Sequence, residues 1–404
     1  MLFLNLISGI RYCFVRLVVK LIEDLSCSMG RICFLGSALH RRDSRVFGRL
    51  CHSLVMAGFQ PSLIVCDNEE DEMIDGISII STGFKTEYRW KRMLFSKKQL
   101  YVAALKVDAD IYHISEPELI SLGMKLKRLG KKVVFDMREG YPEMILSKEY
   151  IPGILRRLVY WWLKWYMKKT LKKFDAVFSV TPELQNRLQV QFHCKNSYVV
   201  TNYPNIDSNY RLSLDEYLKR DNVVCYIGSI YRISCQEKFF EALERIPKVK
   251  YLLAGKFWEN YKVELMKLPY WSRIEFIDGF KREELSHIFS RAIISNTLRD
   301  FSKTASPNGS LGVIKIFESM EAALPVICSD VPLYREIVKK YNCGICVDPY
   351  NVNEIETAVR FLIENKQQAY EMGQNGRTAI IKEYNWNKQF LVYKDVIIKV
   401  INNE

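Results

Sequence analysis

Residues 306–330 read SPNGSLGVIKIFESMEAALPVICSD. The stretch is a loop of small and turn-forming residues, then a helix carrying Lys315 and Glu318, then a buried strand beginning at Pro325. A loop feeding a helix N-terminus receives an anion well, because unpaired backbone N–H groups point outward there. The N–H groups of Ser310, Leu311 and Gly312 are the candidates. A carboxylate one turn into such a helix accepts hydrogen bonds from sugar hydroxyls. Lys315 and Glu318 are three apart and share one helix face. Together these groups suit a ligand that is phosphate at one end and polyol at the other, as a nucleotide sugar is.

Outward from this segment, short apolar runs alternate with longer amphipathic ones. Before it, residues 31–36, 62–66, 77–81, 110–114, 132–136, 176–180 and 197–201 read as strands. Between them, 44–57, 88–106, 117–129 and 152–173 read as helices. A turn-rich linker, 203–221, follows. The pattern then restarts with strands at 223–228, 251–255, 274–277, 292–295, 326–328 and 344–347. Alternating strands and helices predict parallel sheet built from crossover units. The fold class is α/β: two Rossmann-like, doubly wound domains, 29–202 and 222–385, with 386–404 as a closing helix. Ligands in such sheets bind at the carboxyl ends of the strands, so the site is expected in a cleft between the domains.

The chain has 404 residues, long enough for two domains of roughly 150–200 residues. Its formal net charge of +13 suggests polyanionic partners: an anionic membrane face or phosphorylated substrates. No base-reading motif is present, which argues against nucleic acid. The eleven cysteines are scattered through strand-like runs and read as reduced core residues, placing the protein in the cytoplasm. Cys343 and Cys346 have metal-type spacing but no second pair, so no metal site is expected.

Residues 1–28 are apolar but broken by Arg11, Arg16 and Lys20. They read either as an interfacial amphipathic segment or as a misassigned start before Met29. Residues 156–173, RRLVYWWLKWYMKKTLKK, contain no acidic residue and five aromatic ones. Interfacial aromatics among cations suit a helix lying on an anionic bilayer. The alternative buries Trp162, Trp165 and Tyr166 against the first sheet.

The 306–330 segment resembles the C-terminal signature of family 4 (group 1) retaining glycosyltransferases, which have the two-domain GT-B fold, of the bacterial surface-polysaccharide type. One branch carries N-K-h-F-E-Y-M-A-x-G-x-P-V-I-x-S/T-D, with h apolar. Here it stands as Ile314-Lys315-Ile316-Phe317-Glu318-Ser319-Met320, then Pro325-Val326-Ile327-Cys328-Ser329-Asp330. The broader family has a second Glu eight positions before Glu318, where this chain has Ser310. The resemblance implies transfer of a hexosyl group from a nucleotide-sugar donor to a polysaccharide or lipid-linked oligosaccharide, with retention of configuration. It implies no cofactor and no metal: Lys315, Arg232 and Lys238 would neutralise the departing diphosphate, and the donor phosphate would deprotonate the acceptor. It also implies that the last helix crosses back to the first domain.

On the donor side, Gly228 and Ser229 end one strand and let backbone approach a pyrophosphate. Gly255 and Lys256 end a second, and Gly279-Phe280 a third, where the family's backbone touches the nucleobase. On the acceptor side, His113 and Glu139 are the polar groups left where relatives carry H-x-H-E-P and D-x-H-E-x-x-P patterns. Ser115 and Arg138 replace the expected histidines. The cluster His40-Arg41-Arg42-Asp43-Ser44-Arg45 reads either as an anion-binding turn or as a solvated one. Two alternatives remain open: a catalytically degenerate homologue acting in binding or assembly, and a sugar-nucleotide epimerase of the same fold.

Overall fold

The computed structural model describes residues 29–404 except 87, 89, 90, 147, 149, 150, 209, 259 and 305. The N-terminal stretch 1–28 lies outside the described residues. The chain divides into two units. One runs to Val200 and takes in Phe390–Glu404, and the other is Thr201–Gln389.

The first unit is built on an eight-stranded sheet. Its strands are β1 (Arg31–Gly36), β2 (Gln60–Val65), β3 (Glu72–Ile74), β4 (Ile77–Ser81), β5 (Ile111–Ile114), β6 (Lys132–Met137), β7 (Ala176–Ser179) and β8 (Ser197–Val199). Their order is β3-β4-β2-β1-β5-β6-β7-β8, so the winding reverses between β1 and β5. All pairs are parallel except β3 with β4. The sequence reading missed β3. Asp75 and Gly76 join it to β4, both with positive φ (50° and 77°), as a two-residue hairpin turn requires. The Asp-Gly pair was the available signal.

The longer helices of this unit are α1 (Lys97–Val107), α2 (Ile120–Arg128), α3 (Gly153–Thr170) and α4 (Pro182–Val190). In α3 the residues turned to the core are Leu163, Met167 and Thr170. Trp161, Trp162 and Trp165 are each more than half exposed, which corrects the expectation that Trp162 and Trp165 help fill the core. Leu163 and Met167, four apart, already occupy the inward stripe, and the tryptophans fall outside it.

The second unit has six parallel strands: β9 (Val223–Ile227), β10 (Lys250–Gly255), β11 (Ile274–Asp278), β12 (Ile294–Asn296), β13 (Val326–Ser329) and β14 (Gly344–Val347). Their order, β11-β10-β9-β12-β13-β14, is that of a dinucleotide-binding sheet, with the reversal between β9 and β12. Its longer helices are α5 (Gln236–Glu244), α6 (Ile314–Glu321), α7 (Pro332–Tyr341), α8 (Val352–Glu364) and α9 (Lys366–Lys382). A final helix, α10 (Trp386–Asn402), begins here and continues into the residues grouped with the first unit. Both faces of the sheet are covered. Val326 and Cys328 of β13 join a cluster with Ile316, Phe317 and Met320 of α6, whereas Ile327 joins another with Phe240, Leu253 and Ile355. That alternation is the two-residue period of a strand buried on both sides.

The segment read as a linker holds a short helix, Leu214–Lys219. Ser213 and Glu216 form a reciprocal capping box at its start, a Ser-x-x-Glu pattern visible in the sequence. Between α9 and α10 the chain turns at Asn385. Its side-chain amide donates to the carbonyls of Ile380 (2.9 Å) and Ile381 (3.1 Å), and its oxygen accepts from the Lys388 N–H at 3.1 Å. One residue thus closes one helix and opens the next.

Candidate functional site

The carboxyl ends of β9, β10 and β11 in the second unit gather most of the expected donor-side residues. Gly228, just past β9, has φ +126°, and Gly255, ending β10, has φ +144°. The Gly228 N–H donates to the Ala254 carbonyl at 2.9 Å. A Cβ at Gly255 would lie 1.9 Å from the Gly228 carbonyl oxygen, so only glycine fits there. The Gly279 N–H donates to the Gly255 carbonyl at 3.2 Å, and the Lys256 side chain lies across Gly279. Gly228, Ser229, Gly255, Lys256 and Phe280 therefore share one sheet edge.

Helix α6 brings Lys315 onto that edge. Ile316, Phe317 and Met320 bury its inner face. Ser319 Oγ donates to the Lys315 carbonyl at 2.8 Å and lies 2.7 Å from Ser295 Oγ of β12, which ties the helix to the strand. The Lys315 ammonium reaches 3.6 Å from where a Gly228 Cβ would stand. It contacts the Tyr226 hydroxyl and sits 3.6 Å from that ring's centroid. Burial, and then repulsion from Arg299, hold its pKa well below the usual lysine value, with Glu318 opposing.

Glu318, one turn along, accepts from Arg282 Nη1 at 2.9 Å. Ahead of the helix, the Ser310 carbonyl accepts from the Tyr334 hydroxyl at 3.2 Å, and Ser310 Oγ accepts from the Gly312 N–H at 3.1 Å. Val313 starts the helix without a side-chain cap. Ser310, Leu311 and Gly312 thus form the turn leading into α6.

Two expected cations are engaged in ion pairs. Arg232 forms a bidentate pair with Glu264 and lies over the Tyr261 ring. Lys238 pairs with Glu241 on its own helix at 2.9 Å. A further cation that acts electrostatically on Lys315 is Arg299, three residues beyond β12. Sequence reading missed it because nothing in Asn296-Thr297-Leu298-Arg299 marks it, and only the β9–β12 pairing brings it to this edge.

In the first unit, His113 lies in β5, one residue before its end, and is buried. Its Nδ1 is hydrogen-bonded to the Tyr393 hydroxyl at 2.9 Å, and its Nε2 lies 3.9 Å from Asp136. Burial holds its pKa below the ordinary histidine value, although Asp136 opposes this. Asp136 is itself paired with Arg45 at 2.8 and 3.0 Å, and Arg138 Nε donates to it at 3.3 Å. Glu139 is exposed.

The basic cluster 40–45 is neither solvated nor open to an anion throughout. Arg41 is buried against Asp67, at 2.6 and 3.0 Å, and Arg45 against Asp136. Asp43 Oδ1 accepts from the Arg45 and Val46 N–H groups at 3.0 and 2.8 Å. An Asp-x-Asp triplet, Asp108-Ala109-Asp110, lies at the amino end of β5, away from the carboxyl edge. Asp108 pairs with Lys131, and Asp110 accepts from the Arg31 N–H at 2.7 Å.

Residues 44–210 match the family described as Glycosyltransferase Family 4, and residues 215–379 match Glycosyl transferases group 1. Together the two matches span most of the chain. An uncharacterised glycosyltransferase of Methanocaldococcus jannaschii is 21% identical over 321 residues, covering 75% of this chain and 79% of its own. Among solved structures, sucrose-phosphate synthase from Thermosynechococcus elongatus is similar with a TM-score of 0.72 at 16% identity, covering 93% of this chain and 100% of its own. HepE of Anabaena, solved in complex with UDP and glucose, is similar with a TM-score of 0.65 at 14% identity, covering 91% and 99%.

Proposed function

The chain belongs to the family 4 (group 1) glycosyltransferases, with their GT-B fold, and from that premise we propose that it moves a hexosyl group from a nucleotide sugar to a glycan or lipid-linked acceptor, with retention of configuration and without a metal ion. The observation that carries this reading is Lys315, a half-buried cation against Gly228 at the reversal point of the second sheet, with Glu318 one turn away. An ammonium there stabilises the charge that develops on a departing diphosphate. Glu318 would accept sugar hydroxyls, since Arg282 engages only its Oε1. HepE binds UDP and glucose on a similar fold, which supports a nucleoside-diphosphate donor. His113 and Glu139 enter the proposal as acceptor-side groups, His113 by positioning from within the strand end. Lys238 and Arg232 would contribute only after leaving their present carboxylate partners.

The acceptor is proposed to be membrane-borne and part of surface-polysaccharide assembly, with the protein peripheral on the cytoplasmic face. Support comes from the exposed tryptophans of α3 and the +13 net charge. Among the described residues, no helix is long and apolar enough to cross a membrane.

A thermal-shift screen against nucleoside diphosphates and nucleotide sugars tests the donor reading, because a ligand that binds only the folded state raises the melting temperature. A shift with one nucleotide sugar is expected, weakened in Glu318→Ala and indifferent to a chelator. No shift with any of them in a well-folded protein would overturn it. Binding without transfer would point instead to a degenerate homologue acting in binding or assembly.

A further inference from the structure

The second unit offers several cations near the carboxyl ends of its strands, and most are already neutralised. Arg232 is paired with Glu264, Lys238 with Glu241, Arg282 with Glu318, and Lys303 with Asp300. Arg299 differs. Among the described residues it has no carboxylate partner, and its Nε is buried with no hydrogen-bond partner.

Its backbone is held rigidly. The Arg299 N–H donates to Ser329 Oγ at 2.8 Å, and the same hydroxyl donates to the Arg299 carbonyl at 2.7 Å. One serine of β13 thus fixes the residue that leaves β12. The guanidinium lies 5.9 Å from the Phe301 ring centroid and acts electrostatically on Lys315, Tyr226 and Tyr334.

Arg299 repels the Lys315 ammonium, which Glu318 offsets only in part, and each cation loses hydration. Such an arrangement is costly in the empty protein and becomes favourable when an anion of two or more charges lies between them. The position agrees. Arg299 follows β12 and Gly228 follows β9, the two strands flanking the point where this sheet reverses.

We propose that Arg299, with Lys315, forms the diphosphate clamp of the donor site, so that Arg299 takes the place expected from sequence for Arg232. The assignment rests on the proposed nucleotide-sugar donor. The guanidinium supplies the fork that grips phosphate oxygens, and the Lys315 ammonium supplies a point charge. Arg232 instead braces the turn after β9 through Glu264.

Isothermal titration of the full-length protein with UDP, GDP and ADP, and with the matching nucleosides, tests this. For the nucleotide that the parent binds, Arg299→Gln is expected to weaken affinity by about 10- to 100-fold, the loss of one charge-assisted contact or two. Affinity for the nucleoside should stay within about twofold, a change smaller than one contact. Arg232→Gln should weaken diphosphate affinity far less than Arg299→Gln does. Arg299→Lys keeps the charge and should recover part of the loss, which separates a binding role from a folding one. Equal diphosphate affinity in parent and Arg299→Gln would overturn the assignment, as would a large loss confined to Arg232→Gln. A parent that binds no nucleoside diphosphate would bring down the donor reading itself, and this assignment with it.

Discussion

The Lys315 ammonium packs against Tyr226 and Gly228, and burial, then repulsion from Arg299, depress its pKa while Glu318 opposes. A bound diphosphate would add negative charge beside it and raise that pKa. Between the two values the complex holds more proton than its parts, so binding takes up protons and weakens as pH rises through that window. Titration in buffers of differing ionisation enthalpy should register this uptake, and Lys315→Gln should abolish it. A proton count that is unchanged in the variant would place the titrating group elsewhere. At this scale the sequence carried the shared helix of Lys315 and Glu318, because their spacing is local and fixed by the helix. It did not carry Arg299 or the Glu318–Arg282 pair, because those partners are brought in by strand order and not by neighbouring residues.

Elements were legible where their chemistry is local. Thirteen of the fourteen strands were read at or near their observed places, and the missed one, β3, had its Asp-Gly turn in plain sight. Asn385 shows how a single side chain links two elements, ending α9 and starting α10. Asn385→Ala is expected to cost about 0.5–2 kcal/mol, the range for losing a helix cap. Urea unfolding of the variant beside the parent would measure it. A difference below about 0.3 kcal/mol would mean that water replaces the amide without penalty. Helix α3 teaches the converse. Its composition announced an amphipathic aromatic helix, but which aromatics face outward depended on Leu163 and Met167 meeting the first sheet.

For the molecule as a whole, the basic balance and the outward tryptophans of α3 bear on where it works. Replacing Trp161, Trp162 and Trp165 by Ser should leave the fold intact, because each side chain is largely exposed. It should reduce retention on vesicles containing anionic lipid, by an amount that grows with lipid charge and shrinks with salt. Co-sedimentation at two ionic strengths would read this, and equal retention by parent and variant would remove α3 from any membrane role.

The sequence alone determined the α/β class, the two successive units and the family, because strand and helix periodicity and the Lys315–Glu318 segment are written in consecutive residues. Tertiary structure decided which cations stand without a carboxylate and which are spent on ion pairs. It buried Arg41, Arg45 and His113 among partners far away in the chain, committed Arg232 to Glu264, and left Arg299 Nε buried without a hydrogen-bond partner. The physical reason is range. Secondary structure follows from the bonds and sterics of neighbouring residues, whereas a charge is neutralised by whatever the sheet order brings within a few ångströms.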